Sequence, residues 1–267
     1  MIRRKFYVLL AVVAILAAAV SSVYAVVWGE EDGDAHPYVG LLIFDVNGTP
    51  AWRCSGTLIS STVVLTAGHC TSGATGARIW FDSDLTGNTE YPFGGATSVE
   101  GTPYAHPAYD GFATFPNTSD VGVVVLAEAV TDVGYGALPV AGAVDDLYYN
   151  RPPGPSPLMN IVGYGLQSVV PDLQAERVRY QGNPQIVELN SAYTSGWNIH
   201  LGSNNGKGQG QGGACFGDSG GPALLSSESN VVGGVGSFVL NGNCVGAGYY
   251  YRVDTAHALD WVNTFLD

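Results

Sequence analysis

An all-β fold, an antiparallel barrel or sandwich, follows from three features of this 267-residue sequence. Short apolar runs recur along the chain, Gly, Asn, Asp, Ser and Pro separate them, and Gly and Tyr are abundant at 37 and 15 residues. Such runs form strands and tight turns rather than long helices. Hydrophobic residues make up 46% and charged residues 12%, enough apolar mass for one large domain or two small ones, which excludes disorder.

Arg3, Arg4 and Lys5 form a basic head, residues 6–20 an uncharged apolar run, and Val23-Tyr24-Ala25 a small-residue cleavage pattern. Residues 1–25 therefore read as a signal peptide. The run is short for a bilayer span of ~20 residues, which favours cleavage over a membrane anchor. The Arg3-Arg4 pair also fits a twin-arginine signal, so the export route stays open. Without this segment, seven Lys and Arg face 23 Asp and Glu, a net charge of −16, with Lys207 the only lysine. That excess repels phosphate backbones and anionic lipid, which argues against nucleic-acid partners and against membrane binding after signal removal. A secreted, extracellular monomer is expected.

Strand-like runs cover 39–44, 56–59, 63–65, 77–81 and 121–126. The four prolines of 151–157 exclude a central strand, because proline lacks the ladder donor, and mark part of a crossing between two halves. Runs resume at 158–162, 177–180, 185–189, 223–225, 231–235 and 249–253. The end of the chain reads as a helix. Asp254 is placed to cap it, and Ala258, Leu259, Val262, Phe265 and Leu266 share one face, expected to pack on the second half.

Four cysteines, Cys54, Cys70, Cys215 and Cys244, allow three pairings, and export permits disulfides. None lies in a C-x-x-C pair, which removes support for a zinc ribbon or a thioredoxin-type site. The nested pairing, Cys54–Cys70 with Cys215–Cys244, keeps each bridge in one half and contributes ~3 kcal/mol per short loop.

Three stretches carry chemistry. Thr66-Ala67-Gly68-His69-Cys70 ends a β-run, Ser119-Asp120 leads into one, and Gly217-Asp218-Ser219-Gly220-Gly221-Pro222 is a glycine-rich turn. A serine hydroxyl needs an adjacent base; an imidazole takes its proton, and a buried carboxylate fixes the imidazole tautomer. Backbone N–H groups turned outward by glycines stabilise an oxyanion by roughly 3–4 kcal/mol per donor. In this order, with Cys70 directly after His69, the stretches resemble the chymotrypsin/trypsin family of serine peptidases over nearly all of residues 26–267. Smaller matches agree: Cys54-Ser55-Gly56-Thr57-Leu58-Ile59, His106-Pro107-Ala108-Tyr109-Asp110, Gly163-Tyr164-Gly165 and Ser237-Phe238-Val239.

The resemblance implies two packed six-stranded antiparallel β-barrels, at about 26–140 and 158–253, with a C-terminal helix at about 254–266 and the active site between the barrels. It implies that His69, Asp120 and Ser219 are the catalytic triad and that Gly217 and Ser219 form the oxyanion hole. Cys54–Cys70 becomes the bridge beside His69. Gly213 falls at the base of the primary specificity pocket, where an Asp would select Lys or Arg. Val239 stands on one wall, Gly248 on the other, and Ser237, Phe238 and Val239 run alongside protein or peptide substrate. A small or medium apolar P1 residue is expected. Val26-Val27-Trp28-Gly29 resembles the mature family N-terminus, so a free Val26 ammonium would pair with Asp218, and signal cleavage after Ala25 would itself activate the enzyme.

Two bridges and a Gly-rich chain suggest a microbial enzyme. Asn47-Gly48-Thr49 and Asn117-Thr118-Ser119 fit the N-glycosylation pattern, which only a eukaryotic secretory route would use. Asp110 competes with Asp120 for the carboxylate role but does not lead into an apolar strand. His36, His106 and His200 are assigned structural or surface roles. Asp82, Asp84, Asn88 and Glu90 offer oxygen ligands for calcium off the EF-hand spacing. Acidic loops are usually solvated, and no metal or cofactor is assigned. Two other functions compete: a catalytically weak relative binding a partner through the cleft, and an esterase, since Gly217–Gly221 satisfies G-x-S-x-G. The α/β-hydrolase elbow requires a following helix and the order Ser, Asp, His. After Ser219 only His257 is available, with Asp254 three residues before it, and short strands follow.

Overall fold

The computed structural model describes residues 26–205 and 210–266, so the signal-peptide expectation for 1–25 lies outside the described residues. The chain forms β1 (Glu30–Glu31), β2 (Val39–Val46), β3 (Thr49–Leu58), β4 (Val63–Thr66), a helical turn α1 (Gly68–Thr71), β5 (Gly76–Trp80), β6 (Ser98–Ala105) and β7 (Gly122–Leu126). Strands β2 to β7 close into a six-stranded barrel in the order β2-β3-β4-β7-β6-β5, every pair antiparallel. Asn47 and Gly48, at φ +52° and +77°, make the two-residue β2–β3 hairpin whose twist requires positive φ at both positions. β2 is apolar without alternation because both its faces are covered. Leu42 and Phe44 enter the barrel core, whereas Leu41 and Ile43 pack with Trp80, Leu85 and Tyr164.

The second half comprises α2 (Ala143–Tyr149), β8 (Asn160–Gly163), β9 (Tyr180–Pro184), β10 (Ile186–Glu188), β11 (Asn198–Asn205), β12 (Gly210–Gly212), β13 (Pro222–Leu224), β14 (Val232–Val239), β15 (Gly246–Arg252) and α3 (Ala256–Asn263). The order β9-β12-β11-β15-β14-β13-β8 closes through the β8–β9 pairing into a second antiparallel barrel. It counts seven segments because the short β12 is interposed between β9 and β11. β1 pairs with β9, so the first described residues attach to the second barrel. Both disulfides take the nested pairing, Cys54–Cys70 and Cys215–Cys244. Among the described residues no helix is long and apolar enough to cross a membrane.

Two details of the C-terminal helix differ from expectation. Its cap is Thr255, whose side chain accepts the Ala258 N–H. Asp254 is buried and already committed to Arg252 and the Val144 N–H. The helix also meets the first barrel rather than only the second: Ala258 and Val262 share a core cluster with Ala67, Val121 and Val123, and the Phe265 ring lies 5.4 Å from Tyr104. The expected apolar face is real; its contact surface reaches across both halves.

A buried guanidinium clamps the barrels. Arg179 donates to Asp32 at 2.8 Å, to the carbonyls of Val39 and Phe81 at 3.0 Å each, and to Gly33 O at 2.6 Å. Val39 begins β2 and Phe81 follows β5, whereas Arg179 immediately precedes β9. Burial pushes the Asp32 carboxyl upward, but its bonds to His36 and Arg179 outweigh that and hold it below the usual carboxylate range. The clamp is therefore fully present at neutral pH and weakens only as acid protonates Asp32.

Candidate active site

β4 ends at Thr66, and α1 turns the chain so that His69 faces the cleft between the barrels. His69 Nδ1 lies 2.9 Å from Asp120 Oδ2 and 3.1 Å from Oδ1. Asp120 has no exposed surface. Its Oδ1 also accepts the His69 backbone N–H at 2.7 Å, and its Oδ2 the Ser237 hydroxyl at 2.5 Å. A buried carboxylate costs several kcal/mol unless donors replace its water, and these donors do so. The carboxylate holds Nδ1 as an N–H donor and leaves Nε2 as the acceptor. Ser119 aims the carboxylate from behind: it sits at φ +49°, its carbonyl accepts the Val121 N–H, and its hydroxyl lies 2.9 Å from His257 Nε2.

Ser219 lies in a turn that β3 grips. The Ser55 N–H donates to Ser219 O at 2.8 Å, and the Ser55 hydroxyl donates to Gly217 O at 2.9 Å while accepting the Tyr164 N–H at 3.0 Å. Gly217 and Gly220 have φ of +100° and +75°, where a side chain is strained. Among the described residues, neither the Gly217 nor the Ser219 N–H is given to a protein acceptor. Asp218 is buried beneath the turn and accepts the N–H groups of Gly165 at 2.8 Å and Cys215 at 2.9 Å. Burial pushes its carboxyl up to about 6, against those bonds and the nearby charge of Arg53.

His69 and Ser219 line one cavity of about 400 Å³ together with Ala214, Phe216, Phe238 and Val239. No hydrogen bond joins Ser219 to His69 among the described residues, and His69 Nε2 lies 3.6 Å from Cys70 Sγ. Such bonds often tighten only when substrate fills a site. Phe112, at φ +71°, also borders the cavity, with its ring centroid 6.4 Å from that of His69 and 5.9 Å from that of Phe238. Phe238 stacks in turn on Tyr249 at 4.5 Å. The cleft, two barrels and three convergent polar residues match a known family along most of the chain. The sequence profile described as Trypsin matches residues 27–262. The chain belongs to the trypsin family of serine proteases.

Two fruit-fly relatives, Serine protease 1 and Serine protease 2 of Drosophila melanogaster, are each 42% identical over 55 residues, which is 21% of this chain. The matched region spans only 20% of either relative's length. Among solved structures, HL collagenase superposes with a TM-score of 0.69 at 20% identity, covering 89% of this chain and 97% of that one. The scabies mite inactivated protease paralogue S-D1 gives 0.67 at 18% identity, covering 89% and 96%. At these identities the superpositions establish a shared fold.

Within this trypsin-family frame, Ser237, Phe238 and Val239 line the cavity, whereas Gly213 and Gly248 are not among its lining residues. Gly213 is buried so closely against Ser203 that any Cβ there would collide with it, and a Cβ on Gly248 would meet Ala214 Cβ at 3.3 Å. Ala214 and Phe216 therefore take wall positions that the sequence pattern did not single out. Val26 is fully buried in the second-barrel core, and no hydrogen bond joins it to Asp218 among the described residues. Asp110 lies away from the carboxylate position and accepts the Ala113 N–H. His36 pairs with Asp32 at 2.5 Å, His106 packs on His257 at 4.3 Å, and His200 stacks on Tyr249 at 4.8 Å. In the acidic loop, Asp84 and Asn88 spend side-chain oxygens on Thr86, Glu90 and Tyr91 of the same loop.

Ser55 is the residue most easily overlooked here. Replacing Ser55 with Ala leaves the buried Tyr164 N–H without its acceptor and should cost about 1–3 kcal/mol of stability. Amide exchange measures it directly: the Tyr164 amide should lose protection more than those of β5, and unchanged protection would remove Ser55 from this role.

Proposed function

We propose that this protein is a secreted serine endopeptidase that cleaves peptide bonds through an acyl-enzyme on Ser219. The observation that carries the proposal is the His69–Asp120 pair beside a cavity that Ser219 also lines, in a turn whose Gly217 and Ser219 N–H groups have no protein acceptor among the described residues. In this reading His69 Nε2 takes the Ser219 proton as the oxygen attacks the carbonyl carbon. Asp120 keeps the ring oriented and stabilises its cation. The N–H groups of Gly217 and Ser219 receive the oxyanion. His69 then returns the proton to the departing amine, and a water repeats the sequence to release the acid. Ser237, which donates to Asp120, supports the carboxylate.

The apolar walls support a small or medium apolar residue at P1, since no carboxylate closes the cavity floor except Asp218, which is buried under the turn. Export is supported by the basic head and apolar run at the N-terminus and by two disulfides. A proteinaceous substrate and a monomeric state complete the reading. Covalent labelling tests the catalytic core. A fluorophosphonate should label Ser219, and Ser219→Ala should abolish labelling and lower peptide hydrolysis by several orders of magnitude with the fold intact. Undiminished hydrolysis in that variant would exclude the mechanism. On a panel of peptides varied only at P1, Ala, Val or Leu should exceed Arg.

Activation is the last element of the proposal. With the chain continuous through Val26, Asp218 is a buried acid without a bonded cation among the described residues, its pKa raised to about 6 from 3.8. A raised carboxyl makes the native state bind a proton first, so stability rises as pH falls from about 6 toward 3.8 and levels off below. Freeing the Val26 ammonium to pair with Asp218 should depress that pKa below 3.8, which removes the trend above pH 3.8 and leaves stability lost only at lower pH. Thermal unfolding from pH 4 to 6 should therefore show stability rising toward acid through Asp218 in a form with a longer N-terminus, and no such contribution in a form beginning at Val26. Parallel slopes would refute the pairing, and N-terminal sequencing of secreted, active-site-blocked protein would identify the natural form.

A further inference from the structure

Arg53 stands apart from the other arginines. Arg78, Arg151, Arg177, Arg179 and Arg252 all donate to carbonyls, hydroxyls or carboxylates, whereas the Arg53 guanidinium has no hydrogen-bond or ion-pair partner among the described residues. It nevertheless has a defined seat. A Cβ built on Gly217 would lie 3.2 Å from Arg53 Nε and 3.3 Å from Nη2, so the guanidinium lies against the backbone of the turn that holds Ser219. It is half-buried, and although its charge acts on the buried Asp218 carboxylate, no bonded partner among the described residues replaces its lost water.

The side of the turn is also fixed. The apolar cavity and β14 lie on one side of Ser219; β3, which carries Arg53, grips the other through Ser55. Arg53 adjoins Cys54, and the Cys54 and Cys70 sulfurs lie within 4.8 Å of a His69 ring nitrogen. The departing amine must receive its proton from His69, so it leaves over this side. We infer that Arg53 is a specificity-determining residue that binds a carboxylate in the leaving portion of the substrate, within about two residues after the scissile bond. The inference rests on the endopeptidase reading above for its direction along the peptide. A guanidinium forks onto a carboxylate with two parallel bonds, a geometry an amide or ammonium cannot match. The acidic surface elsewhere does not cancel this, because at physiological salt charges are screened beyond about 8 Å.

The test uses amidated peptides of one acyl sequence with Glu, Gln or Lys at the first or second leaving position. A further Gln peptide carries a free C-terminal carboxylate. The kcat/KM for Glu should exceed that for Lys by about tenfold, as expected for one charge-assisted bond. The ratio should collapse toward one in Arg53→Gln and invert in Arg53→Glu. Preference for the amidated Glu peptides identifies a side-chain carboxylate as the ligand; preference confined to the free-acid peptide identifies a chain terminus. Both support a carboxylate subsite. The same Glu-to-Lys ratio in the protein and both variants overturns it. Fluorescence anisotropy of the peptides on Ser219→Ala protein separates this inference from the catalytic one. A peptide set that is never cleaved defeats the endopeptidase reading, and the binding ratio then decides Arg53 alone.

Discussion

The arrangement depends on one buried carboxylate. Asp120 has no contact with water, so its charge is tolerable only while donors from both barrels surround it. His69 supplies its ring and backbone N–H from the first barrel, and Ser237 supplies a hydroxyl from β14 of the second. Separating the barrels by even an ångström would break the Ser237 bond and leave part of that charge unsolvated. Satisfying the carboxylate and aligning the cleft are thus one requirement. The Arg179–Asp32 clamp, at another point of the interface, holds the same spacing with a fully buried ion pair.

The turn at Ser219 is built on a complementary constraint. Among the described residues its Gly217 and Ser219 N–H groups lack acceptors, while the carbonyls of the same two residues are held by Ser55. Asp218 beneath takes two neighbouring N–H groups that would otherwise need acceptors of their own. The backbone is therefore fixed on its carbonyl side and open on its donor side. An anion at the turn would meet donors already in place, with no reorganisation cost at the moment of binding. Gly217 at φ +100° and Gly220 at φ +75° are what permit this orientation.

Much of this was legible in the sequence, for identifiable reasons. The strands were visible as apolar runs between turn residues, and the His69, Asp120 and Ser219 stretches were visible because their chemistry requires particular neighbours. What escaped was set by distant contacts. Ser237 reads as a strand residue beside substrate, and only the approach of β14 to the segment just before β7 makes it a donor to Asp120. Ser55 looks like one small residue among several. Gly213 and Gly248 have the right chain positions for a pocket, but Ser203 fills the space at Gly213 and Ala214 packs close beside Gly248. The helix 256–263 showed its apolar face, whereas which barrel meets that face depends on where the chain returns.

The scarcity of basic residues has a consequence that no single contact reveals. Arg179 is spent joining the barrels, Arg252 ties Asp145 and Asp254 together beneath α2 and α3, and Arg78 is paired with Asp45. In each case removing the cation would strand a carboxylate in a place water reaches poorly, so these arginines cannot be released to face a ligand without loss of stability. Three of the seven Lys and Arg outside residues 1–25 are thereby neutralised by carboxylates within the molecule, against 23 Asp and Glu. A ligand entering the cleft meets that acidic field until it comes within contact of the turn, where Arg53 sits against Gly217. The Arg53 guanidinium beside the turn is thus a cation with no bonded carboxylate among the described residues, in a chain of strongly negative net charge. A discriminating contact of that kind acts at short range, on the fit of one group, rather than by drawing substrates in from a distance.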